Sequence, residues 1–504
     1  MVDARTPVIV GIGQVAQRFA DPTAAAEPIR LLEDAARAAD TDANARRSLL
    51  DALDTVAVVE MLSWRYPDPG AFLARNLGIE PRSTVTSTVG GNSPQLLVNE
   101  MAADIARGDR RAVLVGGAEC MYARRRARRE PKVRLEWSRP ADPPCPTVVG
   151  DPRPGTTDEE LAHLAVMPTD IYPLFETALR AAAGRSVDDQ QHHIARLWAP
   201  FSEVAAGNAH AWSQRAFAAA EIDTPAPDNR VVAFPYLKRM CANLEVDQAA
   251  AIILCSHEAA RDAGVPDDRL VFPLAGADAH DHFHVSERWA LGRSVAIGVA
   301  VGAMLRVAGL GVDDVARFDL YSCFPSAVQL ALESIGLRGP QAGDERPLTT
   351  TGGLAFAGGP GNNYVTHAIA ATVDACRRDP GSVGLVTALG WYATKHSVGC
   401  YSTTPPGEGF RRVPRDATQA IVDATPSRVT TGCYSGPATV EATSVVFDRD
   451  GEPNVAIVTA LEPGGRRVWA NTRDESVLSS MTTTPWEGRP VRIADDGSTN
   501  IVAS

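Results

Sequence analysis

The sequence predicts an α/β protein made of two similar halves, followed by a small segment of strands. Three observations support this fold class. Strand and helix patterns alternate along most of the 504 residues, a turn, helix and strand unit occurs twice, and the pattern after about Pro414 consists of strands alone. A chain of this length is too long for one hydrophobic core, so two to four domains are expected.

The first copy of the repeated unit occupies residues 87–121 and begins at Gly90 and Gly91. Apolar residues then recur at helical spacing, and an apolar run at 112–115 predicts a buried strand that ends at a second glycine pair. A turn that leads into a helix can hold a nucleophile, a carbonyl oxygen or a phosphate, because its free N–H groups and the helix dipole favour negative charge. A plain βα turn is the alternative.

The rest of the first half follows the same alternation. We predict a strand at 7–13, a helix at 29–39, a strand at 56–61 and a short helix at 71–77. Gly11, Gly13 and Ala16 match a GxGxxA dinucleotide pattern, but no helix pattern follows directly. A nucleotide site is therefore not expected there.

The segment 122–240 breaks the alternation and is predicted to be an insertion that covers the site. It contains an arginine run, a proline-rich stretch at 140–154 and helices at 168–183 and 192–206. Alternation then resumes with strands at 249–255 and 317–324 and a helix at 326–335, and the second copy of the unit occupies 352–391. A duplicated unit accounts for the length, because each half needs the other to bury its sheet.

The C-terminal segment is predicted to form a small hairpin-based barrel. Strand patterns occur at 427–431, 438–447, 455–461 and 467–471. A compact barrel of this kind can serve as a binding module.

Composition excludes several classes of function. The net charge of −12 argues against nucleic-acid binding, no apolar run approaches the ~20 residues of a spanning helix, and the N-terminus lacks the features of a secretory signal. Eight cysteines without a CxxC pair argue against a disulfide framework and a zinc site. His280, His282 and His284 alternate on one predicted strand face, but no carboxylate or cysteine completes a metal shell. We expect a cytoplasmic protein with reduced thiols, no membrane span and no metal.

Four segments resemble the thiolase superfamily over residues 5–405. They are ARGDRRAVLVGGAECM, RFDLYSCF, TTTGGLAFAGGPGNN and VGLVTALGW, in the order of that family. The resemblance implies a five-layer αβαβα sandwich of two halves, 1–121 (completed by about 241–262) and 263–419. It also implies a loop domain at 122–240 that binds coenzyme A (CoA), and 420–504 resembles the additional OB-like C-terminal domain of one subgroup.

The sequence departs from that family at all four catalytic positions. The nucleophilic cysteine, which carries the acyl group in the family, falls on Gly91. The asparagine that holds a water for the oxyanion hole falls on Tyr321, the histidine of the GHP motif on Gly359, and the second cysteine on Ala388. No cysteine thioester can therefore form at residue 91.

The resemblance leaves three functions open. The first is an acyltransferase-type protein of lipid metabolism that binds acyl-CoA thioesters. The second is a retro-aldolase acting on β-hydroxyacyl-CoA, with Tyr321 as acid or base and His367 or His396 as its partner, since this reaction needs a base and donors but no nucleophile. The third is a non-catalytic protein that binds CoA or lipid. Cys323 is a candidate relocated nucleophile, and each of these side chains also has a purely structural alternative.

An arginine run supplies the candidate CoA contacts. Arg124, Arg125 and Arg126 suit phosphate groups through bidentate contacts, and a solvated surface helix is the alternative. Thiolases are commonly dimers built on the edge of the first sheet, and an added domain can block that contact. We therefore expect either a homodimer or a monomer.

Overall fold

The structure is a computed structural model that describes residues 2–497 and 499–503. Its α-helices are α1 (Pro28–Asp42), α2 (Pro69–Leu77), α3 (Ser93–Arg107), α4 (Met121–Arg129), α5 (Asp158–Ala162), α6 (Pro168–Ala182), α7 (Val187–Gly207), α8 (Ala219–Asp223), α9 (His257–Ala263), α10 (Val295–Ala308), α11 (Pro325–Ile335), α12 (Gly353–Phe356), α13 (Tyr364–Arg378), α14 (Arg415–Asp423) and α15 (Glu475–Thr483). Its strands are β1 (Pro7–Ala16), β2 (Thr55–Val58), β3 (Ser83–Ser87), β4 (Ala112–Cys120), β5 (Val148–Val149), β6 (Val231–Phe234), β7 (Tyr236–Leu237), β8 (Asp247–Ser256), β9 (Phe272–His280), β10 (Val315–Asp319), β11 (Val383–Gly390), β12 (Lys395–Ser402), β13 (Arg411–Arg412), β14 (Gly436–Phe447), β15 (Pro453–Leu461), β16 (Arg467–Thr472), β17 (Pro490–Asp495) and β18 (Asn500–Ala503).

Two mixed sheets and three layers of helices form the core. The first sheet has the strand order β1-β8-β4-β2-β3-β5, and the second has the order β10-β11-β12-β9-β13. Helices α3 and α13 contact each other between the sheets, α1 and α2 cover the first sheet, and α10 covers the second. The predicted αβαβα sandwich is confirmed.

Glycines inside a strand allow close packing between the two halves. Gly116 and Gly117 do not end the strand as predicted, because β4 continues through them to Cys120. A Cβ atom on Gly117 would lie 2.7 Å from Oδ1 of Asn363, whose amide donates to the Gly117 carbonyl. Absence of a side chain, rather than a turn, explains this glycine pair.

The GxGxxA pattern has a similar explanation. Gly11 and Gly13 lie within β1, where a Cβ atom would collide with the carbonyl oxygens of Ala39 and Ala35 on α1. The glycines let α1 pack closely on the sheet, and β1 does not lead into a helix as a dinucleotide site requires.

A five-stranded barrel closes the C-terminal segment. Its strands pair in the order β14, β15, β16, β18 and β17, and β17 returns to β14. Strand β6 of the middle segment also pairs with β14, which joins the barrel to the rest of the molecule. The barrel is confirmed.

The same segment also contains helices that the strand pattern did not predict. Helix α15 begins where the Asp474 side chain accepts the N–H groups of Ser476 and Val477, a typical N-cap. The predicted strand at 427–431 forms only isolated bridges at Ser427 and Thr430. In the described residues, no helix combines the length and the apolar character needed to cross a membrane.

Candidate active site

The turn at Gly90 and Gly91 lies between β3 and the start of α3. The Gly90 N–H donates to Oδ1 of Asn362 over 3.0 Å, and the Asn362 amide donates to the Glu60 carbonyl over 2.8 Å. Asn362 follows the second glycine-rich segment, so this one side chain connects the two copies of the repeated unit. The contact fixes the turn against the second half.

Tyr321 fills the space beside Gly91. A Cβ atom on Gly91 would collide with the Tyr321 hydroxyl and would lie 2.5 Å from the carbonyl oxygen of Leu389. The strand predicted at 317–324 ends at Asp319, so Tyr321 lies on the extended segment between β10 and α11. The position of the missing nucleophile is therefore occupied by a phenol.

The surroundings of Tyr321 keep its hydroxyl protonated. Burial and the nearby Cys323 thiol raise the Tyr321 pKa well above its usual range. Its ring packs edge-on against Tyr364, with centroids 5.6 Å apart, and its hydroxyl makes no hydrogen bond within the described part of the chain. At neutral pH, Tyr321 can donate a hydrogen bond or a proton, but it cannot act as a base.

Cys323 is close to Tyr321, but its thiol is not activated. Burial raises the pKa of Cys323 to about 12, and the Tyr172 hydroxyl lies beside it. Since the thiolate is the nucleophilic form, a relocated nucleophile at Cys323 is disfavoured at neutral pH.

His367 contacts the first half of the sandwich through one ring nitrogen. Its Nδ1 contacts Oε1 of Gln14 on β1 at 2.8 Å. Burial, together with the nearby His210, lowers the pKa of His367 to about 3, so the ring is neutral. Within the described residues, Nε2 of His367 is buried without a hydrogen-bond partner, so the role predicted for His367 stays a prediction.

His396 lies on β12 and faces away from the Gly91 turn. Its Nε2 is 3.7 Å from Oδ2 of Asp281 and 3.1 Å from the carbonyl of Ala393. Asp281 in turn accepts hydrogen bonds from the Ser294 hydroxyl and the N–H of Val295 at the start of α10. The imidazole therefore faces the outer helix layer.

Lys395, which the sequence analysis did not identify as a site residue, lies next to the Gly90 turn. Its ammonium donates to the carbonyls of Val89 over 2.6 Å and Asp151 over 3.2 Å. A Cβ atom on Gly90 or Gly390 would lie 3.0 to 3.2 Å from Cε of Lys395, so both glycines leave room for it. Burial lowers the Lys395 pKa to about 8.

A sequence signal for this lysine exists. Only three of the 49 basic residues are lysine, at positions 132, 238 and 395, and the other 46 are arginine. Lys395 directly follows the second copy of the repeated unit. The scarcity of lysine and its position after the second unit are the sequence features that mark Lys395.

The two other vacated positions differ in the space around them. A Cβ atom on Gly359 would have its nearest neighbour at 3.4 Å, the carbonyl of Asn243, so a side chain would fit there. Ala388 is fully buried in β11, opposite Ser397 of β12. Neither position carries a functional group.

The arginine run separates into different environments along α4. Arg124 lines a cleft of about 650 Å³ together with Arg65, Arg139 and Val89. Arg125 instead forms an ion pair with Glu245.

Arg126 faces a third environment. Its guanidinium donates to the Tyr122 hydroxyl over 2.9 Å. Of the three predicted CoA contacts, Arg124 alone therefore lines this cleft.

The three alternating histidines do not converge on one point. His280 contacts Arg153, His282 contacts Thr425, and His284 contacts Glu287. Among the described residues, no group of three or more His, Cys, Asp or Glu side chains is arranged to hold a metal ion.

Comparisons with known proteins place this geometry in a family. Residues 417–498 match the family described as the thiolase-like protein type 1 additional C-terminal domain. The crystal structure of a monomeric SCP2-thiolase-like protein type 1 from Mycobacterium smegmatis is 34% identical, covers 100% of both chains and has a TM-score of 0.85. No curated protein matches the chain.

Two more distant structures share the fold. An Ltp2-ChsH2(DUF35) aldolase is 19% identical over 78% of this chain and 97% of its own, with a TM-score of 0.59. A human mitochondrial 3-ketoacyl-CoA thiolase in complex with CoA is 14% identical over 80% of this chain and 99% of its own, with a TM-score of 0.55. The predicted resemblance is confirmed, and the identity over the full length of the mycobacterial protein shows that this chain belongs to the SCP2-thiolase-like proteins of type 1 in the thiolase superfamily.

Proposed function

We propose that this chain binds acyl-CoA thioesters at the Gly91 turn and acts on them without forming a covalent bond to the enzyme. The observation that carries the proposal is the Tyr321 hydroxyl in the space next to Gly91. A covalent intermediate would need a thiolate there, and neither Gly91 nor the protonated thiol of Cys323 supplies one. The Tyr321 phenol remains as a hydrogen-bond and proton donor to the bound thioester.

The cleft beside the turn supports the CoA end of the proposal. Val89 joins the two features, because it lines the cleft and its carbonyl accepts a hydrogen bond from Lys395. Arg65, Arg124 and Arg139 bring three guanidinium groups to the cleft, and this group pairs with phosphate oxygens in a bidentate manner. The human thiolase of this fold is in complex with CoA, which agrees with this assignment.

The reaction that best suits these groups is the cleavage of a β-hydroxyacyl-CoA. Lys395 as the free amine accepts the proton of the β-hydroxyl, the Cα–Cβ bond breaks, and its electron pair forms the thioester enolate. Tyr321 then protonates Cα, and the Lys395 ammonium returns a proton to the phenolate through water. A carbonyl compound and a shortened acyl-CoA leave. An aldolase with the same fold agrees with this choice.

The alternative is a protein that binds CoA thioesters without turnover. Whether the chain cleaves or only binds CoA thioesters, we assign it to lipid metabolism in the cytoplasm. The eight cysteines are all unpaired thiols, which agrees with a reducing compartment. We also propose a monomer, as the mycobacterial relative is described.

Calorimetry and product analysis on one preparation test the proposal. We expect acetyl-CoA and β-hydroxyacyl-CoA thioesters to bind, and the latter to be cleaved. Tyr321→Phe should keep binding and lose about 10²-fold or more in turnover, the usual contribution of general acid catalysis. Tyr434→Phe in the barrel is the matched control. Binding without cleavage would refute the aldolase and support a protein that only binds CoA thioesters. The absence of binding to any CoA thioester would refute both functions.

A further inference from the structure

The turn between β11 and β12 has an unfavourable backbone conformation next to the site. Trp391 and Ala393 adopt φ angles of 57° and 51°, a left-handed region that residues with a side chain rarely occupy. Leu389, just before the turn, has its carbonyl at Gly91, and Lys395 follows the turn. Such a conformation persists only where surrounding contacts hold it.

Hydrogen bonds from outside the two strands hold this turn. The Tyr172 hydroxyl donates to the Trp391 carbonyl and accepts the Ala393 N–H, both over 3.0 Å. The guanidinium of Arg288 donates to the Thr394 hydroxyl over 2.8 Å. Arg288 is itself buried, at 4% exposure, so its position depends on the segment that carries it.

The C-terminal barrel holds the segment that carries Arg288. Arg467 of β16 is fully buried, and its guanidinium donates to the carbonyls of Val285, Ser286 and Arg288 over 2.7 to 3.0 Å. It also pairs with the carboxylate of Glu441 on β14 at 2.6 Å. Three carbonyl oxygens on one buried guanidinium fix the backbone of 285–288 to the barrel.

Two further contacts connect the barrel and the turn. The indole N–H of Trp469 donates to the Ser286 hydroxyl over 2.9 Å. The Asn500 N–H donates to Nε2 of His163, and five residues after His163 the chain enters α6, which carries Tyr172. The barrel therefore contacts both segments that hold the turn.

We infer that the C-terminal barrel acts as a clamp that holds the strained 390–394 turn, and with it Leu389 and Lys395, in place at the site. Arg467 and Arg288 are positioning residues, because they act through the turn and do not contact Gly91 or Tyr321. This inference does not depend on which ligand or reaction the site serves.

Hydrogen–deuterium exchange of the full unliganded chain tests the clamp. Thr394→Val removes the hydroxyl that accepts from Arg288 and should speed exchange in residues 388–396 about fivefold, the effect of losing one net hydrogen bond on local opening. Thr394→Ser keeps the hydroxyl and should exchange as the wild type does. Arg467→Met, and the milder Trp469→Phe, should speed exchange in 285–288 and also in 388–396.

A chemical readout separates positioning from general loss of stability. Reductive dimethylation of Lys395, followed by mass spectrometry, should be faster in Thr394→Val and Arg467→Met, while Lys132 and Lys238 react as in the wild type. Arg473→Met, at an exposed arginine of the barrel, is the matched control and should change nothing at the turn. The clamp is refuted if the barrel variants change exchange only within the barrel, or if Thr394→Val and Thr394→Ser behave alike.

Discussion

The hydroxyl of Tyr321 occupies the place where a side chain on Gly91 would begin. The two residues come from different halves of the sandwich. The absence of a side chain at Gly91 leaves the space that the Tyr321 hydroxyl fills. A residue with a side chain at 91 cannot coexist with this tyrosine, and the tyrosine would leave a void if it were smaller. Restoring a cysteine at 91 alone therefore does not restore a thiolase site.

Gly91→Ala tests this packing directly. The new methyl group would collide with Tyr321 and the Leu389 carbonyl, and overpacking of this kind costs about 1–3 kcal/mol of unfolding free energy. Urea denaturation measures the loss. In a Tyr321→Phe background the cost should be smaller, because the nearest atom is gone.

Gly302→Ala is the control for this pair. Gly302 is exposed within α10, and a Cβ atom there has no neighbour within 4 Å, so alanine should be neutral or slightly stabilising. If Gly91→Ala is as well tolerated as Gly302→Ala, Tyr321 does not fill the space at residue 91.

The repeated unit could be predicted from sequence because its pattern is local. Helical spacing and glycine turns identify α3, β4, α13 and β11. The family motifs assign Gly91 to the position of the nucleophilic cysteine and Tyr321 to the position of the asparagine. Close packing could not be predicted. The pattern predicts a strand end at Gly116 and Gly117, but both lie inside β4. Gly117 packs against Asn363, a residue almost 250 positions away in the sequence, and Gly116 packs against Leu32 and Ala250.

The choice between His396 and Lys395 shows a second limit. The two residues are adjacent on β12, and neighbours on a strand face opposite sides of the sheet. A motif search favours the histidine, yet the pairing of β12 with β9 and β11 turns the lysine toward the Gly90 turn. Strand register, which the sequence pattern does not contain, decides which side chain enters the site.

Lys395 should make ligand binding depend on pH. Its pKa of about 8 means that the ammonium is present at pH 7 and is lost as pH rises through about 8. Affinity for an anionic CoA thioester should fall over that range by calorimetry. Lys395→Met should bind more weakly at pH 7 and lack the fall, whereas Lys132→Met, at an exposed lysine, should follow the wild type.

The same group should affect stability in the opposite direction. Burial lowers the Lys395 pKa from 10.5 to about 8, so between these values the folded chain binds fewer protons than the unfolded chain. Its contribution to the free energy of unfolding therefore rises with pH across this window. Urea denaturation at pH 8 and 10 should show this rise in the wild type and a smaller rise in Lys395→Met. An equal rise of the unfolding free energy in both proteins would mean that the Lys395 ammonium is solvated in the folded chain.

The arginine run should separate in a binding assay. Arg124→Ser should weaken acetyl-CoA binding about tenfold, the scale of a charge-assisted hydrogen bond, because Arg124 lines the cleft. Arg125→Ser should leave the affinity nearly unchanged, since Arg125 is paired with Glu245. Equal losses in both variants would mean that net charge, and not the cleft, attracts the ligand.

Cysteine labelling should show whether Cys323 can act as the relocated nucleophile. Cys433 is exposed, whereas Cys323 is buried with a pKa of about 12. Iodoacetamide at pH 7.4 should therefore modify Cys433 in the folded chain and Cys323 only after unfolding. Incubation with acetyl-CoA should leave no acyl group on Cys323. An adduct there by mass spectrometry would restore the relocated nucleophile.

The edge of the first sheet should keep the chain monomeric. Strand β3 would be the edge available to a second copy, but β5 pairs with it in parallel, and the N–H groups of Thr86 and Thr88 already donate to the carbonyls of Thr147 and Val149 over 2.9 and 2.8 Å. Because β5 already pairs with these N–H groups, β3 is not a free edge onto which a second copy could add a strand. Light scattering should give the mass of one chain. Val149→Pro should loosen β5 and allow self-association at high concentration, and a wild-type dimer would show that another surface mediates assembly.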